Sequence, residues 1–449
     1  MNEEQLEAVR HEAGPCMVLA GPGTGKTTVI TSRILKLIKS KAVPSENILV
    51  VTFSRAAANE MKERYARLTG AQDERKVSFG TFHSIFYRLL RQHMGYKLED
   101  LLDENHKFNI IKNFIRRLEA GFTEDEEQVR NIINDMEYIT NTMSDAASFK
   151  PNACSSSQLA EIIKGYDEFK QQSGKYDYDD ILYDCLHMLR ENQGILKETR
   201  ERFKYILVDE FQDINMLQFE AVKLIAEPLN NIFIVGDDDQ SIYGFRGAAP
   251  DILLNFEKLY PGCSKVHLKR NYRTVKNILT SALSVININN NRYSKALEAV
   301  KDQGSLPVTI EADDFEQEAR VIAARIEQMS RNGRDFSDFA VIYRTNLQSR
   351  AVIDAFMDSG IPFVTFDGMV SMYNHWIFKD VMSYLKLGTG QGSTKDIMRI
   401  INRPKRYISK DMMEKAERAG GDFLKAIMNQ ASLNRLQVNG VYELKNDLK

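Results

Sequence analysis

"MVLAGPGTGKTTVI", Met17–Ile30, runs from an apolar stretch through a glycine-rich turn into a segment of helical period. The order is strand, loop, helix. Gly21, Gly23 and Gly25 allow the loop amides to converge on one point, Thr24 sits inside the turn, and Lys26, Thr27 and Thr28 open the helix. Amides at a helix N-terminus favour phosphate oxygens, a lysine there reaches the outer phosphates, and a threonine hydroxyl can hold Mg²⁺. The stretch therefore reads as a phosphate loop, with Ala20 at the first position, where the strict pattern has glycine. The dinucleotide pattern G-x-G-x-x-G fails because its third glycine is absent.

A phosphate loop needs acids, and "YILVDEFQD", Tyr205–Asp213, supplies them at the end of a second apolar run. Asp209 is the candidate magnesium ligand beside Thr27, and Glu210 is placed to orient or deprotonate the attacking water. A third run ends in "VGDDDQSIYGFRGAAP", Val235–Pro250. There Gln240 would sense the γ-phosphate, while Tyr243 and Phe245 fall on one side of an extended stretch with Arg246 next to them. Rings beside a cation suit the faces of unpaired bases. Other apolar runs end in mixed aromatic, hydroxyl and basic residues: Phe53 with Arg55, Thr81 with Phe82 and His83, and Arg344 with Asn346. Parallel strands share polarity, so these ends would line one edge and contact bases and phosphates.

Strand-like runs at Cys16–Ala20, Ile48–Phe53, Val77–Phe79, Tyr205–Val208, Ile232–Val235 and Val266–Leu268 alternate with helical segments, the pattern of an α/β parallel sheet. Between Tyr96 and Arg202 only helical patterns occur, including Tyr178–Leu189, as in a helical domain inserted into the first sheet domain. A second α/β series follows, with strands expected at Pro307–Glu311, Phe339–Tyr343 and Phe363–Phe366, and helical patterns return from Phe378. With 60 Lys+Arg against 62 Asp+Glu in 449 residues, the net charge of -2 excludes a global basic field, so nucleic-acid binding must come from a local stripe. The four cysteines lack C-x-x-C spacing, and no long apolar span occurs. A cytoplasmic protein without a membrane partner is expected.

As a set, "NEEQLEAV", "AGPGTGKT", "VVTFSRAAANEM", "GTFHS", "DYDDIL", "VDEFQD", "VGDDDQSIYGFRGA", "LKRNYRT", "VIYRTNLQSR" and "INRPKRYI" resemble, in order, the motifs of UvrD/Rep/PcrA-type superfamily 1 DNA helicases, from about Asn2 to Ile408. The resemblance implies two RecA-like P-loop NTPase domains with a helical domain inserted in each: residues 1–95 and 203–275 for the first, 96–202 for its insertion, 276–377 for the second and 378–449 for the start of the second insertion. It also implies an ATP- and Mg²⁺-dependent motor moving 3′ to 5′ on single-stranded DNA and at single/double-strand junctions. Gln5 would read the adenine edge, Tyr272 would stack on its face, and Arg273 would contact the γ-phosphate. Phe245 stands where relatives often have tryptophan, and Thr28 where they often have arginine. The family's later motifs have no counterpart before Lys449, so the second motor domain is expected to be incomplete. Such an N-terminal fragment would bind ATP and DNA weakly and would not unwind duplex. The alternative is a nucleotide-dependent single-strand-binding or regulatory protein.

Overall fold

In a computed structural model the described residues are 1–69, 76–117, 126–146, 148–345, 348–365 and 376–448. They form two compact units, Met1–Val308 and Thr309–Lys449. The first is built on six parallel strands: β1 (Cys16–Ala20), β2 (Ile48–Thr52), β3 (Ser78–Thr81), β4 (Tyr205–Val208), β5 (Ile232–Gly236) and β6 (Ser264–Leu268). Their order is β3-β2-β4-β5-β1-β6. Successive side chains of a strand point to opposite faces, so an apolar run without polar interruption must be covered on both. That is what the chain does. Cys16, Val18, Ile48, Val50, Phe233 and Val235 pack under α1 (Glu3–Arg10), α2 (Lys26–Lys41) and α3 (Arg55–Thr69). Met17, Leu19, Leu49, Val51, Ile206 and Ile234 join the core on the opposite face, under α4 (Phe82–Met94).

The helical stretch before β4 divides in two. Helices α5 (Glu104–Arg117), α6 (Glu126–Thr142) and α7 (Ser156–Ser173) share their own core around Ile111, Ile132, Leu159 and Tyr166. By contrast α8 (Tyr178–Glu191) and α9 (Gln193–Arg202) send Ile181, Cys185, Leu189 and Leu196 into the core of the sheet, which is then covered further by α10 (Met216–Ala226). Tyr178–Leu189, read from sequence as part of the insertion, belongs to the sheet because its apolar stripe faces α4. A buried ion cluster joins the two bodies. Lys107 of α5 lies 3.1 Å from Glu137 of α6 and, beside α8, 3.1 Å from Asp177 and 2.8 Å from Asp179. Burial would lower the ammonium's proton affinity, and the three carboxylates raise it instead.

The six strands expected in the first unit are present, each within two residues of its expected bounds. The second unit departs from expectation. Its helices Phe315–Arg331 and Ser349–Asp358 pack around Ala323, Ile326 and Phe356, and a separate helical group from residue 376 onward packs around Ile401, Ile427 and Val441. The segments Pro307–Glu311 and Phe339–Tyr343, and Phe363–Thr365 of the third, form no strand among the described residues; Phe366 lies outside them. A strand exists through its ladder partners, and these segments have none: Val308, Ile342 and Val364 stay exposed, Ile342 to 92%. No described helix is long and apolar enough to cross a membrane.

Candidate nucleotide pocket and nucleic-acid face

All six strands of this sheet point their C-terminal ends at one edge, and β5 lies between β1, which carries the glycine loop, and β4, which carries the acids. At the loop, Gly23 and Gly25 have φ of 70° and 91°, left-handed values that a β-carbon disfavours. Space forbids one as well. A Cβ on Gly23 would lie 2.5 Å from Arg273 Cβ, and one on Gly25 would lie 2.8 Å from Gln5 Nε2. Thr24 is internal to the loop, its hydroxyl donating to Gly21 O at 2.7 Å.

A pocket of about 350 Å³ opens here, lined by Gly23, Gly25, Lys26, Thr27 and Thr28 from the loop, by Asp209 and Glu210, and by Tyr272 and Arg273. Lys26 Nζ donates to Glu210 Oε2 at 2.6 Å. Glu210 has φ 49° and ψ 47°, a strained conformation for a non-glycine residue of the kind that collects at functional sites. Asp209 is 5% exposed, and its Oδ1 is buried without a hydrogen-bond partner. Burial pushes its carboxyl up to about 7, with Glu210 adding to the rise and Lys26 opposing it.

Two expected nucleotide residues point elsewhere. Gln5 is buried behind the loop, where its Nε2 donates to Thr24 O at 2.8 Å and its Oε1 accepts from Asn2 N at 3.1 Å. Gln240 lies off the pocket lining and donates to Asp237 Oδ2 at 2.5 Å.

Three residues not anticipated from the sequence hold the pocket together. Asn271, fully buried, donates to Pro22 O at 2.8 Å and accepts from the N–H groups of Arg273 and Thr274, which fixes Tyr272 and Arg273 against the loop. Arg64 of α3 lines the pocket and donates to the Thr28 hydroxyl at 2.7 Å. A cation thus stands beside Thr28 although Thr28 itself has none. Gln212 bridges strands, donating to Glu210 Oε2 at 3.0 Å and accepting from Asp237 N at 3.0 Å.

The aromatic residues form a second site on the same edge. Phe53 stacks on Tyr243 with centroids 4.7 Å apart and planes 25° off parallel, and Tyr243 leads on to Phe245 at 6.3 Å. Phe245 is 70% exposed, with the Arg246 guanidinium 5.6 Å from its centroid. These residues and His83 line a cleft of about 500 Å³, whose other wall includes Arg130 and Asn141 of the helical insertion. His83 meets Tyr178 edge-on at 6.0 Å, and burial lowers its imidazole below the ordinary value. Arg55 is exposed at the start of α3, and Thr81 caps α4 by accepting from Ser84 N at 3.3 Å.

Phe82 is a correction. Expected at the nucleic-acid face, it is 2% exposed and packs edge-to-face on Phe86 inside the sheet core. The signal was in the sequence, because Phe82, Ile85, Phe86, Leu89 and Leu90 make one helical stripe. Phe82→Ala is expected to destabilise the fold by about 3–5 kcal/mol while leaving DNA affinity of the folded protein unchanged. Denaturant unfolding and oligonucleotide titration measure the two separately. Arg344 is exposed in the second unit, and Asn346 lies outside the described residues.

A parallel sheet with a phosphate loop after β1 and an Asp-Glu pair after β4 defines a P-loop nucleoside triphosphatase fold. Within that class the chain belongs to the UvrD/REP helicase family: residues 1–261 match the UvrD/REP helicase N-terminal domain, and residues 266–435 match the UvrD-like helicase C-terminal domain. It is 37% identical over 406 residues to YjcD of Bacillus subtilis, covering 89% of this chain and 53% of that protein. It is 34% identical over 426 residues to the ATP-dependent DNA helicase PcrA of Staphylococcus aureus, covering 93% of this chain and 57% of that protein. PcrA of Staphylococcus epidermidis is similar to the same degree, with 58% of its length covered. The chain spans a little over half the length of these relatives.

Proposed function

We propose that this chain carries the ATP-binding and single-strand-binding parts of an ATP-dependent DNA helicase that moves 3′ to 5′ in the cytoplasm and acts at single/double-strand junctions. One observation supports this most strongly. The Lys26–Glu210 pair and the Phe53–Tyr243–Phe245 row open on the same sheet edge, joined through the Gln212 bridge. In this reading residues 1–95 and 203–275, joined by α8 and α9, form the first motor domain around an insertion whose own core lies in α5 to α7, and the second motor domain and its insertion begin at 276 and 378.

Lys26 holds the outer phosphates, Glu210 orients the attacking water, Tyr272 stacks on the base and Arg273 meets the γ-phosphate. Thr27 and Asp209 would hold Mg²⁺, which when bound offsets charge on the phosphate oxygens; the unpartnered Oδ1 of Asp209 suits that role. Gln240 reaches the γ-phosphate only by leaving Asp237, so nucleotide and Asp237 compete for its amide. Phe53, Tyr243 and Phe245 stack on bases, and Arg55, Thr81, His83 and Arg246 contact the backbone. Equilibrium titrations test the reading. A magnesium-bound ATP analogue should bind, and a single-stranded oligonucleotide should bind more tightly than blunt duplex; equal affinity for duplex, or no nucleotide binding, overturns it.

The Asp209 carboxyl sets a pH dependence. With its folded-state value raised to about 7, it is protonated below that pH and must ionise to meet a cation. Affinity for the magnesium-bound analogue is therefore expected to rise through about pH 7, with proton release on binding. The ligand-free fold should lose stability as pH climbs between about 4 and about 7, where only the unfolded chain has given up this proton. Asp209→Asn should abolish the first trend and reduce the second, to which the raised carboxyls of Asp180 and Asp213 also contribute; calorimetry in buffers of different ionisation enthalpy measures the first, and denaturant melts measure the second.

A further inference from the structure

Asp237, Asp238 and Asp239 follow one another at the end of β5. Three carboxylates at one strand end repel each other, and burial makes this worse. The chain answers with a basic segment more than fifty residues further on. Lys295 Nζ pairs with Asp237 Oδ1, and lies 2.6 Å from Asp238 Oδ1 and 2.9 Å from Asp239 Oδ2. Arg292 grips Asp239 with two prongs, Nε to Oδ1 and Nη2 to Oδ2, each at 2.6 Å. The N–H of Tyr293 donates to Asp238 Oδ2 at 2.8 Å. The Lys295 side chain is only 4% exposed. Burial would raise the Asp239 carboxyl, yet hydrogen bonds from Arg292 and Lys295 hold it below the usual carboxylate range.

Asp237 is the hub of this cluster. Its Oδ2 accepts from Gln240, and its N–H donates to Gln212, which in turn donates to the same Glu210 oxygen that Lys26 contacts. Three residues beyond Gln240, Tyr243 stacks on Phe53. A continuous line of bonds thus runs from the phosphate loop to Asp237, and a short turn of chain leads from there to the aromatic row. Neither Lys295 nor Arg292 lines the nucleotide pocket or the aromatic cleft.

We propose that Lys295 and Arg292 are positioning residues for coupling between the two sites: they neutralise and orient Asp237 and Asp239, so that a change at Glu210 or Gln240 reaches Tyr243. This rests on the nucleotide and single-strand sites proposed above. Without Lys295, the Asp237 carboxylate turns to water, and Gln240 and Gln212 lose their fixed partner. Coupling through such a network requires an element that both ligands bias, and the turn Asp238–Gln240 between the two sites is that element.

The test is the effect of one ligand on the other in this 449-residue chain. A single-stranded oligothymidylate is titrated with and without a saturating magnesium-bound, non-hydrolysable ATP analogue. In the unsubstituted chain the analogue is expected to change the oligonucleotide Kd by about fivefold or more. In Lys295→Met and Arg292→Gln the change should fall below about twofold, while each ligand alone binds within about threefold of the unsubstituted chain. Lys295→Arg should restore it. Should Lys295→Met fail to fold, the charge-balanced Asp239→Asn/Lys295→Met variant is expected to fold and still lose the effect. Variants that lose thermal stability but keep the full change overturn the proposal and make the cluster a staple. An unsubstituted chain that binds both ligands without mutual effect also overturns it, leaving both sites standing. One that binds neither overturns the functional reading instead.

Discussion

Glu210→Gln is expected to leave nucleotide binding in place and to cut ATP turnover at least a hundredfold relative to the unsubstituted chain. Glutamine keeps the shape that fills the end of β4 but loses the negative charge that Lys26 contacts at 2.6 Å. In the proposed role that charge orients and accepts a proton from the attacking water, and losing a preorganised charged group commonly raises the barrier by roughly 2.7 kcal/mol, a factor of about a hundred. Binding should survive because the loop amides, Lys26 and Asp209 are untouched. Lys26→Ala is the complement: it removes the loop cation proposed to hold the outer phosphates, and nucleotide binding itself should disappear. A fluorescent ATP analogue reports binding and phosphate release reports turnover. Normal turnover in Glu210→Gln would refute the assignment of the water-orienting group.

Tyr243→Ala is expected to weaken single-strand binding by about 1–3 kcal/mol, roughly 5- to 150-fold, with little dependence on base sequence because every base offers a flat face. The ring does two things, stacking on Phe53 and leading toward the exposed Phe245, so its loss should exceed that of Phe245→Ala. Arg246→Ala should act differently. Removing one phosphate contact on a single strand flattens the slope of log affinity against log salt by about 0.7. Titrations over a salt series separate the two effects. If the aromatic variants unfold more easily but bind normally when folded, the rings are packing residues.

Much of the first unit is legible because its strands are buried on both faces, which leaves short apolar runs that end at the edge carrying the glycine loop and the acids. The run Tyr205–Val208 coincides with β4 at both ends, and Lys26, Asp209 and Glu210 do meet in one pocket. What could not be read were contacts between distant segments. Nothing in the spacing of Asn271, Arg64, Arg292 or Lys295 says that they fold back onto Pro22, Thr28 and the Asp237–Asp239 run. Gln5, whose nucleotide contact is implied by the motif resemblance, and Gln240, whose contact is suggested by its place after β5, show the same limit: each amide has a partner within the fold. In the second unit an apolar run predicts that a segment can pair, not that it has a neighbour to pair with. Phe82 follows a strand end, which suggests exposure, but its place in the helical stripe of α4 decides its burial.

The most direct measurement is ultraviolet cross-linking of a 5-iodouracil-substituted single strand to this chain, mapped peptide by peptide with and without a magnesium-bound ATP analogue. Cross-links are expected at Phe53, Tyr243 and Phe245, with their yield changed by the analogue. Cross-links confined to other surfaces, with none on the peptides that carry these three rings, would contradict a shared edge for nucleotide and single-stranded DNA.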